Sequence, residues 1–246
     1  MSADFRDLGL HSPWLNASGF LGFAPGGNWS WPEPAGGFVT NPISLHPRTP
    51  ADGRNFVPYS GGFLLHTGLP NPGFQAVLRQ QADRWARSRQ PVWVHLLTKQ
   101  ADELFRMVRI LEELDGIAAI ELGLPPFATP ENTFPLIDAA VGELPLILNF
   151  PLTLLSDAWL EELPARGVAA ISLGAPRGTL VDRSGRMVSG RLYGPALLPF
   201  AARAVAIASR SGLPVVGGCG INRPTDGELL LAAGASAVQI DTPLWK

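Results

Sequence analysis

The sequence predicts one α/β domain spanning residues 1–246, a (β/α)8 barrel with a degenerate first helix and a missing eighth helix. Three observations predict it. From about Phe38 onward, short β-branched runs alternate with helical patterns, the signal for repeated strand–helix units and a parallel sheet. Eight strand-like runs fall within 246 residues, a length that suits a closed barrel. A content of 46% hydrophobic and 16% charged residues fits a single compact domain with a large core.

In order, the strand-like runs are residues 14–18 (WLNAS), 38–41 (FVTN), 92–96 (VWVHL), 117–122 (IAAIEL), 146–149 (LILN), 168–173 (VAAISL), 214–217 (PVVG) and 237–240 (AVQI). Apolar residues at three- and four-residue spacing predict helices over 73–87, 100–114, 131–141, 157–166, 194–209 and 225–233. The place of the first helix, residues 19–37, holds three prolines and six glycines, too many for a regular helix. No helical pattern follows the last strand. The two missing helices would be neighbours, so the sequence predicts an uncovered apolar face beside Trp14, Val238 and Ile240. Burying that face calls for a homo-oligomer or a protein partner. Trp29 and Trp31, in the degenerate segment, and Trp245 are its aromatic neighbours; capping by these residues is the alternative. Residues 40–74 read as a long irregular loop carrying His46 and His66, of the kind that is usually functional after a barrel strand.

Composition excludes several classes. A formal charge of −2 without a basic tract argues against nucleic acid as a partner. The most apolar stretch, residues 144–155, is broken by Pro145, Asn149 and Pro151, so no membrane span is expected. Residues 1–10 lack the basic start and apolar run of a secretion signal, and the single cysteine, Cys219, cannot form an internal disulfide; a cytoplasmic location is expected. Of 19 basic residues only Lys99 and Lys246 are lysine, which leaves amine chemistry almost without candidates.

The chemistry-bearing residues gather at predicted strand ends, where barrels build their sites. Gly217, Gly218 and Gly220 precede the helix that starts near Thr225, an arrangement that suits an anion cradle or simply a tight turn. Cys219 within this turn reads as a small buried thiol. His95 ends the third strand, His66 lies on the long loop, and Asn41, Glu121 and Asn149 fall on the same rim. They offer a general base or hydrogen bonds to a carbonyl ligand. No metal-ligand spacing is present, and no metal is expected.

Several of these residues resemble the dihydroorotate dehydrogenase family of flavin barrels. Asn16 to Gly19 (NASG) is similar to the family's first-strand motif. FVTNPISLHPR at 38–48 followed by GLPNPG at 68–73 matches the second strand and its loop. Gly194-Pro195, PVVGGCGI at 214–221 and GASAVQIDT at 234–242 resemble the closing segment that holds the flavin phosphate. The resemblance implies FMN as cofactor, with Ser18, Gly19, Gly217, Gly218, Gly220 and Thr242 binding it, and His66, His95, Asn41 and Asn149 facing the substrate.

The departures fall where that family does its chemistry. Asn41 and Asn149 stand where the resemblance implies two lysines. Gly123-Leu124-Pro125-Pro126 stands where it implies an asparagine and the run bearing the catalytic base, Leu65 replaces a substrate-binding asparagine, Cys219 replaces a glycine, and Asp241 replaces the glycine before Thr242. Oxidising dihydroorotate needs a base and positive charge near the reduced flavin. The expectation is a protein of oxidoreductase type that binds a flavin or phosphate ligand and has lost the classical reaction. Two alternatives stay open: a catalytically degenerate barrel serving as a subunit of a complex, and a non-redox enzyme on a small phosphorylated substrate.

Overall fold

A computed structural model describes residues 4–26, 29–53, 55–125 and 127–245; Pro126 and Lys246, named above, lie outside them. In chain order the strands are β1 (Trp14–Asn16), β2 (Phe38–Val39), β3 (Phe56–Tyr59), β4 (Gly62–Leu65), β5 (Val92–Leu96), β6 (Ile117–Gly123), β7 (Leu146–Pro151), β8 (Val168–Gly174), β9 (Arg177–Val181), β10 (Met187–Tyr193), β11 (Val215–Gly218) and β12 (Ala237–Ile240). The helices are α1 (Phe74–Ala86), α2 (Ala101–Glu112), α3 (Pro130–Ala140), α4 (Asp157–Leu160), α5 (Leu198–Ala208) and α6 (Pro224–Ala232).

Eight strands form one parallel sheet in the order β1-β12-β11-β8-β7-β6-β5-β2, a nearly closed barrel of the TIM type. Two-residue alternation along each strand sends one set of side chains inward. Leu15, Val39, Trp93, Ala119, Ile147, Ala170, Val216 and Ala237, one per barrel strand, pack with Leu10 into an apolar inner layer. The opposite set faces the helices: in α2, Leu104, Met107, Val108 and Leu111 lie at helical spacing and are buried. The helix expected over 157–166 is shorter than that. It stops after α4, and a 3-10 turn from Pro164 to Arg166 follows, because Pro164 has no amide hydrogen to continue the helix and Gly167 adopts a left-handed conformation at φ 77°.

The barrel closes without a backbone ladder at one seam, since β1 and β2 are the two ends of the strand order. The side chain of Asn16 spans it: Nδ2 donates to the Val39 carbonyl at 2.6 Å, and Oδ1 accepts from the Val39 amide at 3.0 Å. One carboxamide thus stands in for a ladder pair, and both residues are fully buried. Asn16→Ala leaves a buried N–H and C=O unpaired, and we expect it to lower stability by about 2–4 kcal/mol in urea denaturation. A variant within about 0.5 kcal/mol of the parent would show that water enters the seam and replaces the amide.

The described residues of 17–37 form no helix, and those after β12 form a single 3-10 turn, Thr242–Leu244, as the sequence predicts. The bare face does not follow. Trp14 is buried, and Val238 and Ile240 are fully so. The loop folds back so that the Trp31 ring sits 5.9 Å from the Trp14 ring, and Trp85 of α1 donates to the Phe23 carbonyl at 2.7 Å. From the other side α6 packs so closely that a Cβ at Gly227 would meet the Trp14 ring at 2.4 Å. An irregular chain covers the stripe that two helices would have covered and buries Trp14, Val238 and Ile240 within the subunit. A cleft of about 570 Å³ remains between the loop and the end of α1, with Trp29, Arg84, Arg87 and Arg89 in its wall.

Residues 40–74 are not wholly irregular. They supply β3 and β4, which join β10 and β9 in a four-stranded antiparallel sheet of order β3-β4-β10-β9. This sheet stands over the carboxyl ends of the barrel strands, where Phe63 and Tyr193 stack with Trp245 and Phe20.

Candidate active site at the barrel mouth

One step above the apolar layer, each barrel strand places its next inward position. Two residues on from the layer these are Ala17, Asn41, His95, Glu121, Asn149, Ser172, Gly218 and Gln239, so an apolar layer is succeeded by a largely polar one. Register brings the polar ones together: His95 lies opposite Glu121, Asn149 opposite Ser172 and Gly218 opposite Gln239.

Glu121 is the centre. Its carboxylate is fully buried and bonds three side chains: His95 Nδ1 meets Oε2 at 2.5 Å, while Ser172 Oγ and Gln239 Nε2 both donate to Oε1 at 2.7 Å. Asn149 Nδ2 donates to Ser172 Oγ at 2.9 Å, which extends the chain of bonds. Burial works against ionisation of Glu121. The hydrogen bond and charge of His95, helped by Ser172 and Gln239, nevertheless hold its carboxyl below the ordinary value. The His95 backbone is anchored in turn, its amide donating to Thr40 Oγ1 at 3.0 Å.

With Nδ1 committed to Glu121, His95 Nε2 is buried and has no hydrogen-bond partner. A buried nitrogen without a partner is costly to keep, and His95 is also part of a cavity wall. A Cβ at Gly123 would stand 2.6 Å from that atom, so the imidazole fills the space that a side chain at 123 would need. The cavity, about 30 Å³, has His95, Asn149, Arg191, Tyr193, Cys219 and Asp241 among its walls. That is room for a water or a single carboxylate-sized group.

The remaining walls are electrostatically unusual. Asp241 is buried, and burial raises its carboxyl from 3.8 to about 6 even though Oδ1 accepts from the Thr242 amide at 2.6 Å and from Thr242 Oγ1 at 3.2 Å. Burial and the nearby Asp241 push the Cys219 thiol well up, so at neutral pH it is a protonated thiol and a poor nucleophile. Burial likewise raises Tyr193 to about 12. Cys219 adopts φ 77°, a conformation that strains a residue with a side chain.

Of the residues the sequence singles out, His95 and Asn149 line this cavity together with Ser18 and Gly218. Asn41 does not, because its Oδ1 accepts from the Gly22 amide at 3.1 Å and ties down the first loop. His66 follows β4 on the antiparallel sheet and is absent from the cavity wall. Gly217, Gly220, Gly19 and Thr242 lie beside the cavity without lining it. Gly220 is required by packing, since a Cβ there would meet the Leu198 amide nitrogen at 2.4 Å. Ser172, Gln239, Arg191 and Tyr193 join the site without a motif to mark them; the signal for the first two is the two-residue step from Ala170 and Ala237. Among the described residues no cluster of three His, Cys, Asp or Glu side chains suits a metal ion, and no helix is long and apolar enough to cross a membrane.

No protein-family model matches the chain. The catalytic subunit of dihydroorotate dehydrogenase B (NAD(+)) from Pelobacter propionicus is 28% identical over 263 residues, covering 98% of this chain and 86% of that one. The subunit of the same name from Pyrococcus furiosus is 31% identical over 237 residues, covering 87% of this chain and 76% of its own. The chain belongs to the dihydroorotate dehydrogenase family. The fold agrees: the crystal structure of the Eimeria tenella dihydroorotate dehydrogenase in complex with ferulenol superposes with a TM-score of 0.72 over 95% of this chain and 76% of that one, at 16% identity. Within the dihydroorotate dehydrogenase family, this member places the His95 ring over Gly123, locks Asn149 to Ser172 and turns Asn41 toward the first loop.

Proposed function

We propose that this dihydroorotate dehydrogenase family member does not oxidise dihydroorotate and carries no FMN, and that its barrel mouth is a flavin-free small-molecule site centred on His95 and Glu121. The observation that carries the reading is that His95, which lines the cavity, holds its Nδ1 on Glu121 and has a buried, unpartnered Nε2. A histidine oriented through Nδ1 by a carboxylate, with Nε2 uncommitted, is set up to exchange a proton or hydrogen-bond a ligand.

The residues present do not fit FMN, which the family resemblance implies. Ligand pockets of that class span roughly 300–1,000 Å³, against about 30 Å³ here. The Thr242 amide and hydroxyl that would meet a phosphate are both taken by the Asp241 carboxylate. Among the described residues no lysine lines the cavity, and Asn41 and Asn149 occupy the positions where the resemblance implies the two that would stabilise a reduced flavin. Purified protein is expected to show no visible flavin absorption and no dihydroorotate turnover with fumarate, quinone or NAD as acceptor. Stoichiometric bound flavin, or turnover by pure protein that His95→Ala abolishes, would overturn this reading.

The tightness of the cavity favours a second reading, a catalytically degenerate barrel acting as a subunit of a complex. Light scattering that shows a clean monomer at micromolar concentration counts against it.

A further inference from the structure

The cleft of about 570 Å³ between the first loop and the end of α1 shares no wall residue with the mouth cavity. It stands on the β1–β2 seam, with Asn16 and Phe38 in its wall, where the first helix of a regular barrel would lie. A loop in place of a helix covers the strands without filling the helix's volume. The space left is within the roughly 300–1,000 Å³ of small-molecule sites. Three cations line it, Arg84 on α1, Arg87 at its carboxyl end and Arg89 just beyond, and among the described residues no carboxylate joins them in the wall. Arg84 is held in place, Nη1 donating to Gln81 Oε1 and Nη2 to the Pro25 carbonyl, both at 2.9 Å. The ion pair of Arg87 with Asp83, at 3.4 Å, is exposed and of a kind worth little. Among the described residues the Arg89 side chain forms no hydrogen bond or ion pair. The same wall carries Trp29, half-buried, whose Nε1 donates to the Glu33 carbonyl at 2.7 Å and so fixes the ring.

We propose that this cleft binds a nucleoside monophosphate, with Arg84, Arg87 and Arg89 around the phosphate and the Trp29 ring against the base. The guanidinium fork matches a phosphate, and a dianion answers a wall that carries three positive charges and no negative one. An indole stacks on any base, because every base has a π-face. The carboxyl end of a helix favours cations and carries about half a negative charge. That accounts for Arg84 and Arg87 without a ligand, but not for Arg89 or for the open volume beside an aromatic ring, and three guanidinium groups outweigh it when an anion arrives. A formal charge of −2 for the whole chain keeps this a local site for a small anion, not a surface for a nucleic acid. The assignment is independent of how the barrel mouth is read, since the two walls have no residue in common.

Calorimetric titration of the full chain with AMP, CMP, GMP and UMP tests it. At least one is expected to bind saturably, one per chain, with a dissociation constant below about 1 mM. Inorganic phosphate and the matching nucleoside should each bind at least about tenfold more weakly, since each supplies only half of the contacts. Arg89→Gln removes a charge without breaking any bond among the described residues, so it should fold as the parent does and weaken binding about tenfold. Trp29→Leu should weaken it by a similar factor. Arg203→Gln removes the same charge from α5, outside the cleft wall, and should bind as the parent does. No saturable binding of any of the four, or full binding retained in Arg89→Gln, overturns the proposal. So does equal weakening in Arg203→Gln, which would make the attraction a property of the whole surface. Phosphate binding as tightly as the nucleotide overturns the nucleotide class, and the nucleoside binding as tightly overturns the role of the arginines.

Discussion

Glu121→Ala is expected to destabilise the protein by about 3–5 kcal/mol, the usual cost of removing one partner from a buried charged network. The side chain is inaccessible, and its loss strands three groups at once: His95 Nδ1, the Ser172 hydroxyl and the Gln239 amide. Each must then stay buried without a partner or open the barrel mouth to water. At roughly 2–4 °C per kcal/mol for a chain of this size, the melting midpoint should fall by about 6–20 °C. Glu121→Gln should cost far less, because an amide keeps the acceptor for Ser172 and Gln239 and offers an N–H to His95 Nδ1. The pH dependence has a definite sign. Glu121 ionises more readily in the fold than at its ordinary 4.5, so its contribution is fully present above that value and fades as pH falls through the lowered folded value. Urea titrations of parent and variants at neutral pH decide the matter. An alanine variant within about 1 kcal/mol of the parent would show that the network positions His95 without holding the barrel.

How much of this centre can be read from the chain depends on whether a residue's meaning is local. The pairs Trp93 and His95, Ala119 and Glu121, and Ile147 and Asn149 show their alternation in one dimension, and β5 and β12 fall on the residues the sequence predicts for them. For Ser172 and Gln239 the two-residue step from Ala170 and Ala237 gives the inward direction and nothing more. Their role arises from register, which sets Ser172 beside Asn149 and brings Gln239 across the barrel to Glu121, 118 residues away. The absence of the first helix follows from its prolines and glycines, but the exposure predicted from that absence does not. Trp31 closes on Trp14 through packing that no periodicity encodes. The antiparallel sheet was hidden for a related reason: β9 and β10 carry Gly178, Gly190, Arg177 and Arg191, a composition poor in strand signal, and they form around the turn in which Asp182 accepts from Ser184 and Arg186. Pairing with β4 supplies what local propensity lacks.

Asp241→Asn is expected to make the protein more stable, and only where the parent's carboxylate is charged. Burial raises Asp241 from 3.8 to about 6, so the folded state resists its ionisation while the unfolded chain does not. The sign is therefore opposite to that of Glu121. The penalty is absent below 3.8, grows as pH rises through the interval, and is complete above about 6. A displacement of about two pK units corresponds to about 3 kcal/mol as an order of magnitude. Asparagine keeps an Oδ1 that can accept from the Thr242 amide and hydroxyl, so the local bonds survive the substitution. At pH 7.5 the variant should unfold at higher urea, and at pH 4 parent and variant should nearly coincide. Equal stability at pH 7.5 would mean that a cation or water network neutralises Asp241, and the mouth would then be more solvated than its walls indicate. A buried acid held against its own stability, in one cavity wall with a histidine whose Nε2 has no partner, is the kind of strain that binding sites keep and cores remove.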